Sequence, residues 1–150
     1  MNKIITVLLT VLFLTNCGYT PIYSNKNFDF NIKDIITSTD NLLNSRIKKR
    51  LLSLSNQESS KMISLNLDVQ KKINTLSKDT KGDATRFEMV INIQLKITYD
   101  HGQNINNFFE ETFNYNVNKN KFELNQYEKE IENLLIDENI NRITIYLSKL

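Results

Sequence analysis

The sequence predicts an α+β domain with elements in the order β-α-β-β-β-α. Three observations predict it. Residues 87–99 place apolar side chains at every odd position, the mark of a long strand with one buried face. Further alternating runs flank that segment across short turn clusters, which predicts an antiparallel meander. Two stretches, 40–55 and 122–150, instead carry apolar residues at intervals of three and four, the helical period.

Taken in order, Phe28, Phe30 and Ile32 alternate with Asp29 and Asn31 and predict strand one over 28–32. Ser38, Thr39 and Asp40 then offer oxygens to the orphan amides of a helix start. Leu43, Ile47, Leu51 and Leu54 form one stripe of the first helix, with Leu42 at its border, and the polar run 56–60 ends it. Strand two starts near Lys61, with Ile63, Leu65, Leu67 and Val69 on one face; the turn cluster Lys78–Asp83 closes it. Strand three carries Phe87, Met89, Ile91, Ile93, Leu95, Ile97 and Tyr99. A loop over 100–104 contains Gly102, which tolerates positive φ. Strand four is predicted over 107–118, with Phe109, Phe113, Tyr115 and Val117 on one face and Glu111 as a charged exception.

The last helix has a stripe that shifts. Leu124, Tyr127, Ile131 and Leu134/Leu135 form one face, and Ile136, Ile140, Ile143, Leu147 and Leu150 form another, rotated by more than a quarter turn. Asp137-Glu138-Asn139 lies at the handover. Either the helix breaks or kinks there over the same core, or its end packs on something other than the domain's own sheet. The second reading makes Ile140, Ile143 and Leu147 candidates for a partner-facing surface.

The first residues stand apart from this domain. Lys3 precedes an apolar run, Ile4 to Leu14, interrupted by Thr6 and Thr10, the layout of a secretory signal. It is short for a membrane span, which needs about 20 apolar residues. Its end, Leu14-Thr15-Asn16-Cys17-Gly18, resembles the lipobox of bacterial lipoproteins, although Asn16 stands where that pattern favours Gly, Ala or Ser. The resemblance implies cleavage before Cys17, leaving an S-diacylglycerol and an N-acyl chain on it. It also implies an organisation of signal peptide 1–16, lipidated tether 17–27 and one domain over 28–150. Gly18, rather than Asp, after the cysteine implies sorting to the outer membrane.

Composition limits the chemistry. The 150 residues carry 19 basic and 17 acidic side chains, one His and one Cys. A charge of +2 argues against a nucleic-acid partner, and one Cys with one His argues against zinc sites and a Ser/His/Asp triad. Removal of residues 1–16 leaves 18 basic against 17 acidic residues. No nucleotide-loop, nucleophile-elbow or zinc-protease motif is present in the sequence, so we expect no catalytic residues, no metal and no cofactor beyond the covalent lipid. His101 reads as a turn residue, and Glu110 and Glu111 as neighbours that point to opposite faces of a strand. Arg46, Lys49 and Arg50 recur at i, i+3 and i+4 on the first helix, a spacing that can hold phosphates of an anionic lipid. Lys71-Lys72 forms a weaker cluster. The 22 Asn, 18 Ile and 15 Lys against one Ala read as a coding bias toward AT-rich codons.

The heptapeptide Cys17-Gly18-Tyr19-Thr20-Pro21-Ile22-Tyr23 is similar to the start of mature members of the LPS-assembly lipoprotein family (LptE), in its alphaproteobacterial form. The element order, and the ending Ile-Thr-Ile-Tyr-Leu-Ser, resemble that family too. The resemblance implies a two-layer sandwich, a four-stranded mixed or antiparallel sheet backed by two helices. It implies a non-enzymatic protein on the periplasmic face of the outer membrane. There it plugs and helps assemble a large LptD-like β-barrel and assists insertion of lipopolysaccharide into the outer leaflet. An auxiliary lipoprotein of another envelope lipid-transport or barrel-assembly complex would share the anchor and differ in its partner.

Overall fold

The computed structural model describes residues 30–39, 41–118 and 120–150. The predicted signal, Cys17, the tether and the first two residues of predicted strand one lie outside the described residues. Four strands, β1 (Asn31–Thr37), β2 (Met62–Lys78), β3 (Ala84–Tyr99) and β4 (Asn104–Asn116), alternate with two helices, α1 (Leu42–Leu52) and α2 (Lys121–Leu147), in the order β-α-β-β-β-α. The sheet runs β1-β2-β3-β4. β1 pairs parallel to β2, and β2, β3 and β4 form an antiparallel meander. α1 supplies the crossover that a parallel neighbour requires. Both helices contribute to one core on a single face of the sheet: α1 lies against β1 and β2, and α2 against β3 and β4. The fold is therefore the expected α+β sandwich.

β1 continues to Thr37, five residues beyond the end its alternation predicts. Its pairing with β2 slips between Ile32 and Asp34, and the extra residue, Lys33, lets both Ile32 and Ile35 reach the core at 5% and 1% exposure. A bulge of this kind breaks the period of two. The N-cap of α1 is Asn41, one residue after the last of the expected caps. The Asn41 side chain accepts from the Asn44 amide at 2.8 Å, while buried Asn44 donates from Nδ2 to the Thr39 carbonyl at 2.6 Å and to Thr39 Oγ1 at 2.9 Å. Ile47 and Leu51 of the predicted stripe are fully buried, with Leu43 and Leu54 packed at its margins; Leu42 is exposed.

β2 and β3 run well beyond the part covered by α1. Ile63, Leu65, Leu67 and Val69 are buried, and every residue of β2 after Val69 is exposed. The hairpin turns at Asp79, whose Oδ1 accepts from the Lys81 and Asp83 amides at 2.9 Å, and at Gly82 with φ +90°. On β3, Met89, Ile91, Ile93, Leu95 and Ile97 are buried to 1% or less. The alternation holds over these five positions, with Phe87 and Tyr99 partly buried at the ends and Val90 buried on the other face.

α2 is one unbroken helix of 27 residues, about 40 Å long. The handover at Asp137-Glu138-Asn139 is neither a break nor a turn toward a partner. Ile140, Ile143 and Leu147 are 4%, 0% and 2% exposed and belong to the domain's own core, which corrects their reading as partner-facing. The helix crosses the sheet lengthwise: Glu128 meets Tyr115 at one end, and Leu147 lies by Phe30, Ile63 and Tyr99 at the other. Strands twist beneath the continuous helix, so the contacting stripe migrates around it. Asn139 bridges the two faces. It is fully buried and donates from Nδ2 to the Ile91 and Leu135 carbonyls at 3.1 and 3.0 Å.

Ile143→Ala should therefore destabilise the protein by about 2–5 kcal/mol, the usual range for truncating a buried aliphatic side chain. Urea unfolding measures this; a change below about 0.5 kcal/mol would instead fit a side chain outside the core.

Candidate functional site

The basic trio of α1 faces α2 rather than solvent alone. Arg46 Nη1 pairs with Glu132 Oε1 at 3.2 Å, and its Nη2 donates to Asn133 Oδ1. Arg50 pairs with Asp137. Lys71, on β2, reaches the same Glu132 through Oε2 at 2.6 Å. Glu132 thus joins α1, β2 and α2, and its own side chain is 20% exposed. Lys49, one turn from Arg46, is exposed and has no ion pair among the described residues. The structure brings Arg46 and Arg50 together with acidic partners and leaves Lys49 as the member of the trio open to an outside anion. Lys71 is engaged, and its neighbour Lys72 is exposed.

Glu111 was the charged exception on the apolar face of β4. Arg142 of α2 resolves it, pairing with Glu111 Oε1 at 2.6 Å, donating to the Glu110 carbonyl at 2.9 Å and lying 5.9 Å from the centre of the Phe109 ring. Sequence reasoning missed this clasp and the Glu132 hub. A lone carboxylate in an otherwise apolar strand face was the signal that could have called for a cation on the covering helix.

At the far end of β4, Tyr115 is 3% exposed and donates to Glu128 Oε1 at 2.7 Å. Burial, and then the Glu128 carboxylate, raise its phenol well above the ordinary value near 10. His101 sits in the β3–β4 turn, exposed, within 3.1 Å of Gln103 Oε1 and stacked obliquely on Tyr99. Among the described residues no group of three His, Cys, Asp or Glu is placed to hold a metal ion. No helix among them is long and apolar enough to cross a membrane. On the sheet face away from the helices, Asn66, Asp68, Gln94, Lys96, Asn106 and Phe108 border a shallow hollow of about 670 Å³. This face is polar, with Phe108 half exposed at its margin.

Two outcomes follow from these contacts. Glu132→Gln should cost roughly 0.5–1 kcal/mol, in the range of partly exposed ion pairs, with most of the loss erased at high salt; urea midpoints at low and high ionic strength measure it. Tyr115 titrates at higher pH in the folded than in the unfolded chain, so its contribution is complete below about pH 10 and is lost as pH rises through the folded value. Stability should fall on raising the pH above about 10, and Tyr115→Phe should flatten that fall.

No protein-family model matches the sequence, and no curated protein matches it. Among solved structures, the chain is similar to the rare lipoprotein B of Shewanella oneidensis. The TM-score is 0.58 at 14% identity, over 77% of this chain and 94% of that one. It is similar also to a minor lipoprotein of Acinetobacter baumannii, with a TM-score of 0.61 at 14% identity, over 81% of this chain and 92% of that one. The chain shares its fold, over nearly the whole length of those chains, with two bacterial lipoproteins.

Proposed function

We propose that the protein is an outer-membrane lipoprotein, held at the periplasmic face through Cys17, that plugs an LptD-like β-barrel. There it helps the barrel assemble and assists delivery of lipopolysaccharide to the outer leaflet. The observation that carries this reading is the fold shared with two bacterial lipoproteins, met in a chain whose Leu14–Cys17 segment has the lipobox layout. The heptapeptide Cys17–Tyr23 supports the choice of family.

The roles divide simply. A thioether joins Cys17 Sγ to diacylglycerol, and the amine freed by cleavage takes an acyl chain. Each buried methylene contributes about 0.8 kcal/mol, so two or three chains hold the protein on the membrane. Twelve residues, 18–29, separate Cys17 from Phe30, a reach of at most about 47 Å. The domain then offers shape rather than chemistry. Its buried apolar residues lie, Val90 apart, on one side of the sheet, and the largely polar uncovered face suits the polar lumen of a large barrel. Lys49 supplies a charge for the phosphate of an anionic lipid. Arg46 and Arg50 would join it only by leaving Glu132, Asn133 and Asp137.

The test is purification of the tagged full chain from outer-membrane extracts. A large β-barrel should co-purify in stoichiometric amount. A monodisperse monomer with no barrel refutes the plug, and fractionation with the inner membrane points to another envelope complex. Cys17→Ser should leave the precursor uncleaved by lipoprotein signal peptidase, and normal cleavage would refute lipidation. Lys49→Glu should weaken binding to vesicles containing an anionic lipid at low salt without loss of stability; unchanged binding removes Lys49 from the site.

A further inference from the structure

The two outer strands of the sheet are built differently. β1 is seven residues long, slips register at Lys33 and carries Lys33 and Asp34 in its middle. Short length, a bulge and charge are the usual ways of blunting a sheet edge. β4 lacks the bulge and the basic residues. It pairs with β3 through thirteen consecutive positions, from Arg86↔Asn116 to Thr98↔Asn104, with no shift of register. Its sequence contains no proline, glycine, lysine or arginine. Among the described residues no strand pairs with its far side. A regular edge of this kind presents main-chain donors and acceptors at the spacing of an incoming strand.

Arg142 divides that edge. Its guanidinium covers the main chain at Glu110 and holds Glu111. From Glu111 to Asn116 the strand runs on for six residues, an ordinary strand length. α2 flanks this stretch with apolar surface. Tyr127 meets the Tyr115 ring edge-on at 6.2 Å. Leu134 follows seven residues later on the same side of the helix, between Tyr127 and Arg142. Tyr127 and Leu134 are 43% and 46% exposed.

Charge selects the occupant. Glu123, Glu130 and Glu138 recur at intervals of seven and eight, on the same side of α2 as Tyr127 and Leu134, and all three are exposed. Glu110 adds a further exposed carboxylate on the strand. Arg142, the cation on this side, is taken by Glu111. A second copy of the same acidic edge would bring like charges together. We propose that residues 111–116 of β4 take up an extended, basic segment of a partner polypeptide as a fifth strand, with its apolar side chains against Phe113, Tyr127 and Leu134 and its basic side chains on the same face, beside Glu130 and Glu138. The inference stands on the edge itself and does not require the barrel-plug reading.

The experiment titrates a synthetic octapeptide, Lys-Thr-Val-Thr-Val-Thr-Lys-Thr, whose valines and lysines share one face when extended, into the full chain in detergent, with backbone amides followed by NMR. Every second amide over 111–116 should become protected from exchange. Binding should weaken at least tenfold in the double variant Glu130→Lys, Glu138→Lys, whose exposed positions leave the core untouched, and at least tenfold when glutamate replaces lysine in the peptide. Three results with peptide present overturn the proposal. They are no binding at millimolar peptide, equal binding of the acidic peptide, and protection spread over the uncovered sheet face instead of along β4. Concentration-dependent protection of β4 without peptide also overturns it, by assigning the edge to a second copy.

Discussion

The odd-numbered face of β3 is the surface on which the domain is assembled. Met89, Ile91, Ile93, Leu95 and Ile97 are all but inaccessible, and each contributes on the order of 1.5–3 kcal/mol by leaving water. β3 is also bonded to a neighbour along both sides, so its main-chain groups are satisfied while its apolar side chains are capped by the helix layer. α2 must lie along this strand whatever else it does. The migrating stripe on that helix, the inward Asn139 and the burial of Ile140, Ile143 and Leu147 all follow from covering a twisted surface with one continuous helix.

That dominance explains which parts of the fold were legible in the sequence. The meander was, because Ile63–Val69, Phe87–Tyr99 and Phe109–Tyr115 each keep one period and the turns between them are short. The latter half of β1 was not, because a single inserted residue, Lys33, moves Ile35 to the same side as Ile32 and spoils the alternation. The end of α2 misled for a different reason. A stripe that rotates by a quarter turn is compatible with a break, a partner or a twisted sheet, and only the sheet's geometry distinguishes them. The site was less legible than the fold. Helical spacing puts Arg46, Lys49 and Arg50 on neighbouring positions of α1, yet pairing depends on residues more than 80 positions away, and no local pattern reveals which cation stays free.

The charge distribution bears on function in the same way. A near-neutral total conceals a domain in which two arginines of α1, Lys71 and Arg142 serve to fasten α2 to the strands and to α1. These pairs are partly exposed and individually weak, but each sits where two elements meet, so they fix how the helices lie more than how tightly the core packs. On the proposed reading, affinity for the membrane resides in the lipid on Cys17 and not in bulk electrostatics, and the protein surface is left to discriminate among partners.

The parallel pairing of β1 has a kinetic and mechanical side. Lys78 and Ala84 meet across a turn of five residues, whereas Asn31 and Met62 meet across thirty; closing the longer loop costs about 1.5 kcal/mol more in chain entropy. β1 recovers part of this through the Ile32 amide bond to Ser55 Oγ and the Asn56 amide bond to the Phe30 carbonyl, both made by the segment that follows α1. It is nonetheless the last strand the chain entropy favours adding and the first it favours releasing. On the proposed reading it is also the strand next to the lipidated tether. Tension between anchor and domain would therefore be felt first at the most easily opened seam of the sheet, while the meander and its covering helix stay closed.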